Sequence, residues 1–194
     1  MKANFVIRST LNADSDLSGI EADMLVLGKF RNLELSALAV FDARTNGVAS
    51  AVFEEKGFFG DENQDVVLML EPGETQRRVM FAGLGRTQDY GCKVIAHVAQ
   101  RAVEKAIKHG CRRIAFPFPA KRSTGGISLK MQAHYIREAV EAAVSAQPEA
   151  GEITIELVCS KLGSAARELK KGIDMHVEGV CCCKKKGRGD CTNQ

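Results

Sequence analysis

The residues that could do chemistry in this chain are scattered. Gly83 and Gly85 flank Leu84, between an apolar run and a helical one. Glycines there could let the backbone approach a phosphate. A dinucleotide fingerprint needs a further glycine at position 88, where Gln88 stands. A strand-to-helix turn accounts for the pair. Thr124, Gly125 and Gly126 precede another helical stretch, whose free amide groups could receive an anion. They are the candidate ligand-binding residues. His176 followed by Cys181, Cys182 and Cys183 has the residue types of a zinc site. Adjacent cysteines alone do not build a tetrahedron, and no second spaced pair follows. The reading there is a thiol-rich end, with no metal ligands assigned.

No nucleophilic catalyst emerges. Ser123 and Ser128 have no base placed beside them in the sequence. Cys111 falls at a helix-to-strand junction, which suggests packing rather than reactivity. His97 and His134 lie inside helical stretches without a partner at zinc-protease spacing. His109 stands at a helix C-terminus, where a cation suits the dipole. No catalytic residue is assigned.

Composition narrows the class. Hydrophobic residues make up 45% and charged residues 26% of 194, which is ordinary for a globular domain able to bury a core unaided. Of the 27 basic and 24 acidic residues, Lys184, Lys185, Lys186, Arg188 and Asp190 lie in the last stretch, leaving 23 of each elsewhere. The body is thus neutral and the charge of +3 belongs to the tail. A basic tail is no argument for a nucleic-acid-binding face on the fold. Cys92, Cys111 and Cys159 stand apart, whereas Cys181, Cys182, Cys183 and Cys191 crowd the end. That pattern is no disulfide framework and suits a reducing compartment. With no long apolar run and no signal-like start, the expected location is cytoplasmic, with no membrane partner.

The elements that must position these residues follow from periodicity. Residues 4–8, 22–30, 66–70, 78–82, 113–116 and 153–158 read as strands. Residues 35–55 carry helical spacing broken at Asn46 and Gly47, which predicts two helices meeting at a turn. Pro72 and Gly73 predict a hairpin turn. Residues 92–109 form the clearest amphipathic helix, closed by Gly110. Pro117 and Pro119 are expected to end the strand before them. Residues 129–146 and 162–180 read as further helices. Alternating strands and helices predict an α/β fold with a mixed, mostly parallel sheet of about six strands sandwiched between helices. The expected partition is a domain over residues 1–160, a linker-like helix over 161–180, and a basic, cysteine-rich tail over 181–194 without fixed structure.

This order, with the wording of particular stretches, resembles the N-terminal domain of the cytosolic leucyl aminopeptidase family. The stretches are ADMLVLG at 22–28, the paired helices up to EKGF at 55–58, and RVMFAGLG at 78–85. The helix from Lys93, RIAFP at 113–117, and ARELKKG at 166–172 leading to EGV at 178–180 continue the pattern. The resemblance spans residues 3–180.

The resemblance implies a macro-domain-like fold that helps build a hexamer and, in some bacterial members, contributes to DNA binding. Peptide hydrolysis in that family belongs to a second domain. There two divalent metal ions, zinc or manganese, are held by aspartates, a glutamate and a lysine and activate water. The signature Asn-Thr-Asp-Ala-Glu-Gly-Arg of that domain is not in this sequence. The sequence leaves the family pattern after Val180, so a truncated, non-catalytic assembly domain without cofactors of its own is expected. Its expected partners are further copies of itself or aminopeptidase subunits. A stand-alone macro-domain-like module for a nucleotide or ADP-ribose-like ligand is the competing reading. For that reading, Lys29, Phe30, Arg31 and Asn32 stand where the Asn-rich loop of macro domains would be. Nucleic-acid binding is the third.

Overall fold

The apolar runs of the sequence become strands of one sheet in a computed structural model, which describes residues 3–10, 17–70, 75–118, 126–147, 151–160 and 164–175. The strands are β1 (Ala3–Thr10), β2 (Ala22–Lys29), β3 (Asp65–Met69), β4 (Gln76–Gly83), β5 (Arg113–Phe118) and β6 (Ile153–Ser160). They lie in the order β1-β6-β5-β2-β4-β3. All neighbours run parallel except β3 and β4, which form the expected hairpin. The helices are α1 (Ser36–Arg44), α2 (Val48–Glu55), α3 (Cys92–Lys108), α4 (Leu129–Ser145) and α5 (Ala165–Ile173).

The sheet is buried on both faces because its strands are apolar at successive positions. In β2, Met24 and Val26 join the core under α3, α4 and α5, whereas Leu25 and Leu27 join the core under α1 and α2. This is the expected mixed sheet between helices. In α3, Ile95, Val98, Ala99, Ala102, Val103 and Ala106 are all buried. On the other face, Phe81 of β4 meets Phe41 and Phe53 edge-on, with ring centroids 5.8 and 4.9 Å apart.

The break at Asn46 and Gly47 is as the sequence predicts. Both residues take positive φ, 50° and 82°, which Asn and Gly tolerate best. Asp42 then holds α2 in place by accepting the Ser50 amide at 2.7 Å and the Ser50 hydroxyl. β4 starts earlier than residue 78 because buried Gln76 anchors it. Its Nε2 donates to the carbonyls of Leu17, at 2.9 Å, and Ile20, while its Oε1 accepts from Arg44 at 2.9 Å.

Two expectations need correction. β5 does not stop at residue 116; it continues through Pro117 to Phe118, paired with β6. The proline acts on the other side: pairing with β2 ends at Leu25 and Ala115. A residue without an amide hydrogen cannot extend that ladder. The last helix is also shorter than residues 162–180. It ends at Ile173, and Asp174 caps it. Arg137 of α4 donates to the Ile173 carbonyl at 2.8 Å and takes up the helix end there. Residues 176–180 and the tail 181–194 lie outside the described residues.

Candidate functional site

The chain changes direction at β2. From β2 it runs through α1 and α2 to β3 and β4 on one side, and α3 then carries it across to β5 on the other. At such a switch point the carboxyl ends of neighbouring strands splay and leave a crevice. Here β2 pairs with β4 as far as Lys29 and Gly83, but with β5 only at two positions. A cavity of about 250 Å³ opens where β2 and β5 part.

Its floor is Val26 and Gly28 of β2 with Phe116 and Phe118 of β5. Ile95 and Val98 of α3 and Ile136 of α4 form one wall. Leu17, Leu35 and Ala37 close the opposite side, and Phe30, Leu84 and Tyr90 complete the lining. Phe30 and Tyr90 meet edge to face, 5.2 Å between centroids. The polar side chains of Tyr90 and Gln132 in the described lining already have partners. The Tyr90 hydroxyl points at Gln132 Oε1, 3.5 Å away, and Gln132 Nε2 donates to the Ile127 carbonyl at 3.0 Å. Burial pushes the Tyr90 phenol well above its usual range. No charged side chain lines the cavity among the described residues.

The glycine pair at 83–85 plays the part of a turn. The amides of Gly83, Leu84 and Gly85 donate to the carbonyls of Gln64, Lys29 and Gly60 at 2.8, 2.9 and 2.9 Å. These three donors are therefore consumed and do not face a phosphate. Gly83 is required by close approach: a Cβ there would fall 1.8 Å from the Asp61 carbonyl oxygen. Lys29 stitches the neighbouring loops together by donating to the carbonyls of Phe30, Leu33 and Phe59 at 3.2, 3.4 and 2.9 Å. Burial lowers its pKa, partly offset by Asp61. No local sequence pattern marks this role of Lys29. Tyr90 and Gln132 are likewise silent in the sequence, since each is an ordinary residue near the edge of a helix.

Of the candidate ligand residues, Thr124 and Gly125 lie outside the described residues. Gly126 is exposed, with φ of 76°. Ser128 is the N-cap of α4, its hydroxyl accepting from the Met131 amide at 3.3 Å. Cys111 is buried, and burial pushes its thiol up, as a packed cysteine requires. The histidines stay apart: His97 sits 3.5 Å from Glu62, and buried His134 sits 3.3 Å from Glu138. His109 departs from the dipole argument. Burial, then Arg78, Lys108 and Lys105, pushes its pKa down, so the neutral form is favoured at that helix end. Among the described residues no group of three or more His, Cys, Asp or Glu side chains converges. The two-metal centre implied by the family resemblance therefore has no donor set there. No described helix is long and apolar enough to cross a membrane.

Comparison with known proteins agrees with this architecture. A probable cytosol aminopeptidase from Nostoc punctiforme is 27% identical over 134 residues, covering 68% of this chain and 26% of the relative. The chain thus spans about a quarter of the length of that curated relative. Among solved structures, a tomato leucine aminopeptidase mutant matches with a TM-score of 0.66 at 22% identity, covering 88% of this chain and 35% of that one. The Trypanosoma brucei macrodomain in complex with ADP matches with a TM-score of 0.62 at 11% identity, covering 88% and 69%. These likenesses establish a macro-domain-like fold. Residues 26–148, most of the described sheet and its helices, match the N-terminal domain of the cytosol aminopeptidase family, and the chain belongs to that family.

Proposed function

We propose that this chain is the non-catalytic, N-terminal assembly domain of a cytosol aminopeptidase, acting in the cytoplasm by self-association or by joining aminopeptidase subunits. The observation that carries the reading is the match of residues 26–148 to the family's N-terminal domain. The site geometry supports it, because the described lining of the cavity between β2 and β5 is mostly apolar and includes no charged side chain. Peptide hydrolysis then belongs to a separate two-metal domain of the kind the family carries, with zinc or manganese activating water. The test is an aminopeptidase assay on leucyl substrates with added manganese or zinc, paired with light scattering to weigh the species in solution. The expected result is no turnover and a mass above that of one chain. Robust turnover by the purified chain overturns the reading.

A nucleotide or ADP-ribose-like ligand near Thr124, Gly125 and Gly126 is the second reading. The macrodomain neighbour in complex with ADP and the location of the cavity at the carboxyl ends of the strands favour it. The lack of a charged side chain among the described lining residues and the consumed amides of 83–85 weigh against it. Calorimetry with ADP-ribose and mononucleotides decides, and absence of heat at millimolar ligand removes it.

A further inference from the structure

Resting on the self-association proposed above, we infer that the outer edge of β1 is its interface, where two copies pair β1 with β1 antiparallel about a two-fold axis at Val6. β1 closes the sheet on one side and pairs with β6 alone among the described strands. The register runs unbroken from Ala3 opposite Ile153 to Thr10 opposite Ser160, so no bulge bends the strand away. Every second residue of such a strand turns its amide and carbonyl outward, away from the neighbour it has. Exposed edges are ordinarily guarded by lysine, proline or a bulge. Residues 3–10 contain no lysine and no proline, and Arg8, their one charged side chain, is drawn to Glu156 on β6. The edge is thus open to another strand.

The order of residues along β1 selects a second copy as that strand. A two-fold axis at Val6 sets Val6 against its own copy, Phe5 against Ile7 and Asn4 against Arg8. Phe5 and Ile7 pack on the core beneath the helices, yet each is only half-buried. The antiparallel pairing covers their remaining surface with an apolar pair on each side of the axis. On the opposite face Val6 is 38% exposed and meets its copy at the centre. There Asn4 offers its amide oxygen to the facing Arg8, and the two arginines stand at opposite ends of the pairing. The other edge, β3, lacks this symmetry. It is five residues long, and an axis at Val67 would oppose Asp65 with Met69. Two six-stranded sheets joined through β1 become one continuous sheet.

Val6→Lys and Val6→Glu change an exposed side chain, so both variants are expected to fold, which far-UV circular dichroism checks. Sedimentation equilibrium of the full chain is expected to show a dimer. Each variant alone is expected to associate about tenfold more weakly, because like charges then stand directly opposite each other. An equal mixture of the two variants is expected to recover the association, since lysine then faces glutamate across the axis. A monomeric unmodified chain, a folded variant that associates as tightly as the unmodified chain, or a mixture no tighter than either variant overturns the inference. The assembly reading itself survives these results if the variants still associate, or if a monomeric chain binds aminopeptidase subunits.

Discussion

Arg137 on α4 donates from Nη1 to the carbonyl of Ile173 at 2.8 Å, so the middle of one helix closes the C-terminus of another. The last carbonyls of a helix have no partner within it, and a guanidinium there satisfies one of them and the helix dipole together. Just before it, Gly172 lets α5 approach α4 closely: a Cβ would stand 2.1 Å from the Lys130 carbonyl oxygen and 2.8 Å from Ala133 Cβ. Helix propensity alone would make Gly172→Ala stabilising by about 1 kcal/mol. The clash with backbone is the larger effect, about 1–3 kcal/mol, so the variant should be destabilised. Arg137→Ala should cost about 1.5–3 kcal/mol through the lost charged hydrogen bond. Urea melts check the magnitudes. Hydrogen exchange should show α5 losing protection before the sheet does.

His134 sits at the same junction and should make it sensitive to acid. It is fully buried on α4, and burial lowers its pKa first, with Arg137 and Lys130 adding to the shift. Glu138 and the Met175 backbone oppose the shift only in part. The unfolded chain therefore takes up the proton at a higher pH than the native one. Stability from this group is complete above about pH 6.5 and falls as pH drops below it toward the native pKa. His109, whose pKa is also lowered, contributes in the same direction. Thermal melts between about pH 7 and pH 5 should show a shallower pH slope for His134→Phe than for the unmodified chain. An equal slope would mean that His134 does not report on this junction.

The glycines near the cavity should separate steric necessity from convenience. At Gly83 the obstacle is the Asp61 carbonyl, 1.8 Å from where a Cβ would stand, and backbone cannot swing aside. Gly83→Ala should cost about 3 kcal/mol and loosen the loop from Gly57 to Gln64. At Gly28 the obstacle is the end of the Leu84 side chain, at 2.6 Å. A rotamer change relieves it, so Gly28→Ala should cost about 1 kcal/mol or less. Denaturation midpoints of the two variants provide the comparison.

The layers of the fold are legible in the sequence, whereas the crevice is hidden. Strand and helix periodicity locates β2, β4, α3 and α4, because each buries a continuous apolar stripe. Asn46 and Gly47 announce their turn because left-handed backbone favours those residues. The cavity depends instead on where a ladder stops. Pro117 signals an interruption, but only the three-dimensional pairing shows that β6 keeps its partner while β2 loses it. The contacts Tyr90–Gln132 and Lys29–Phe59 join residues far apart in the chain, and neither side chain is unusual by itself. The glycine pair at 83–85 is a turn in the structure as in the sequence. Its reason, three amides turned toward neighbouring loops, lies in tertiary contacts that no local pattern encodes.

Glu156 provides a final test, because it is a carboxylate that the sheet itself buries. It stands on β6 with its side chain 3% exposed, and Arg8 and Arg113 reach it from the strands on either side. Arg8 lies 3.1 Å from Oε2, and Arg113 Nε contacts Oε1. In register, Arg8 faces Val158 and Arg113 faces Thr154, so each arginine approaches on a diagonal. Glu156→Ala would leave two like charges facing each other over β6. Breaking a buried pair costs about 3–5 kcal/mol; both arginines are a third exposed, which lets water offset part of that. The expected loss is about 2–3 kcal/mol. Added salt should recover some of it by screening the arginines from each other. Replacing all three residues together with apolar ones should cost less than Glu156→Ala alone, since no buried charge is then left unpaired; Glu21, which Arg113 also reaches at 3.8 Å, is exposed and stays in water. Urea denaturation at low and high salt measures both comparisons. Equal stability of Glu156→Ala and the unmodified chain would show that the triad holds the sheet no tighter than water does.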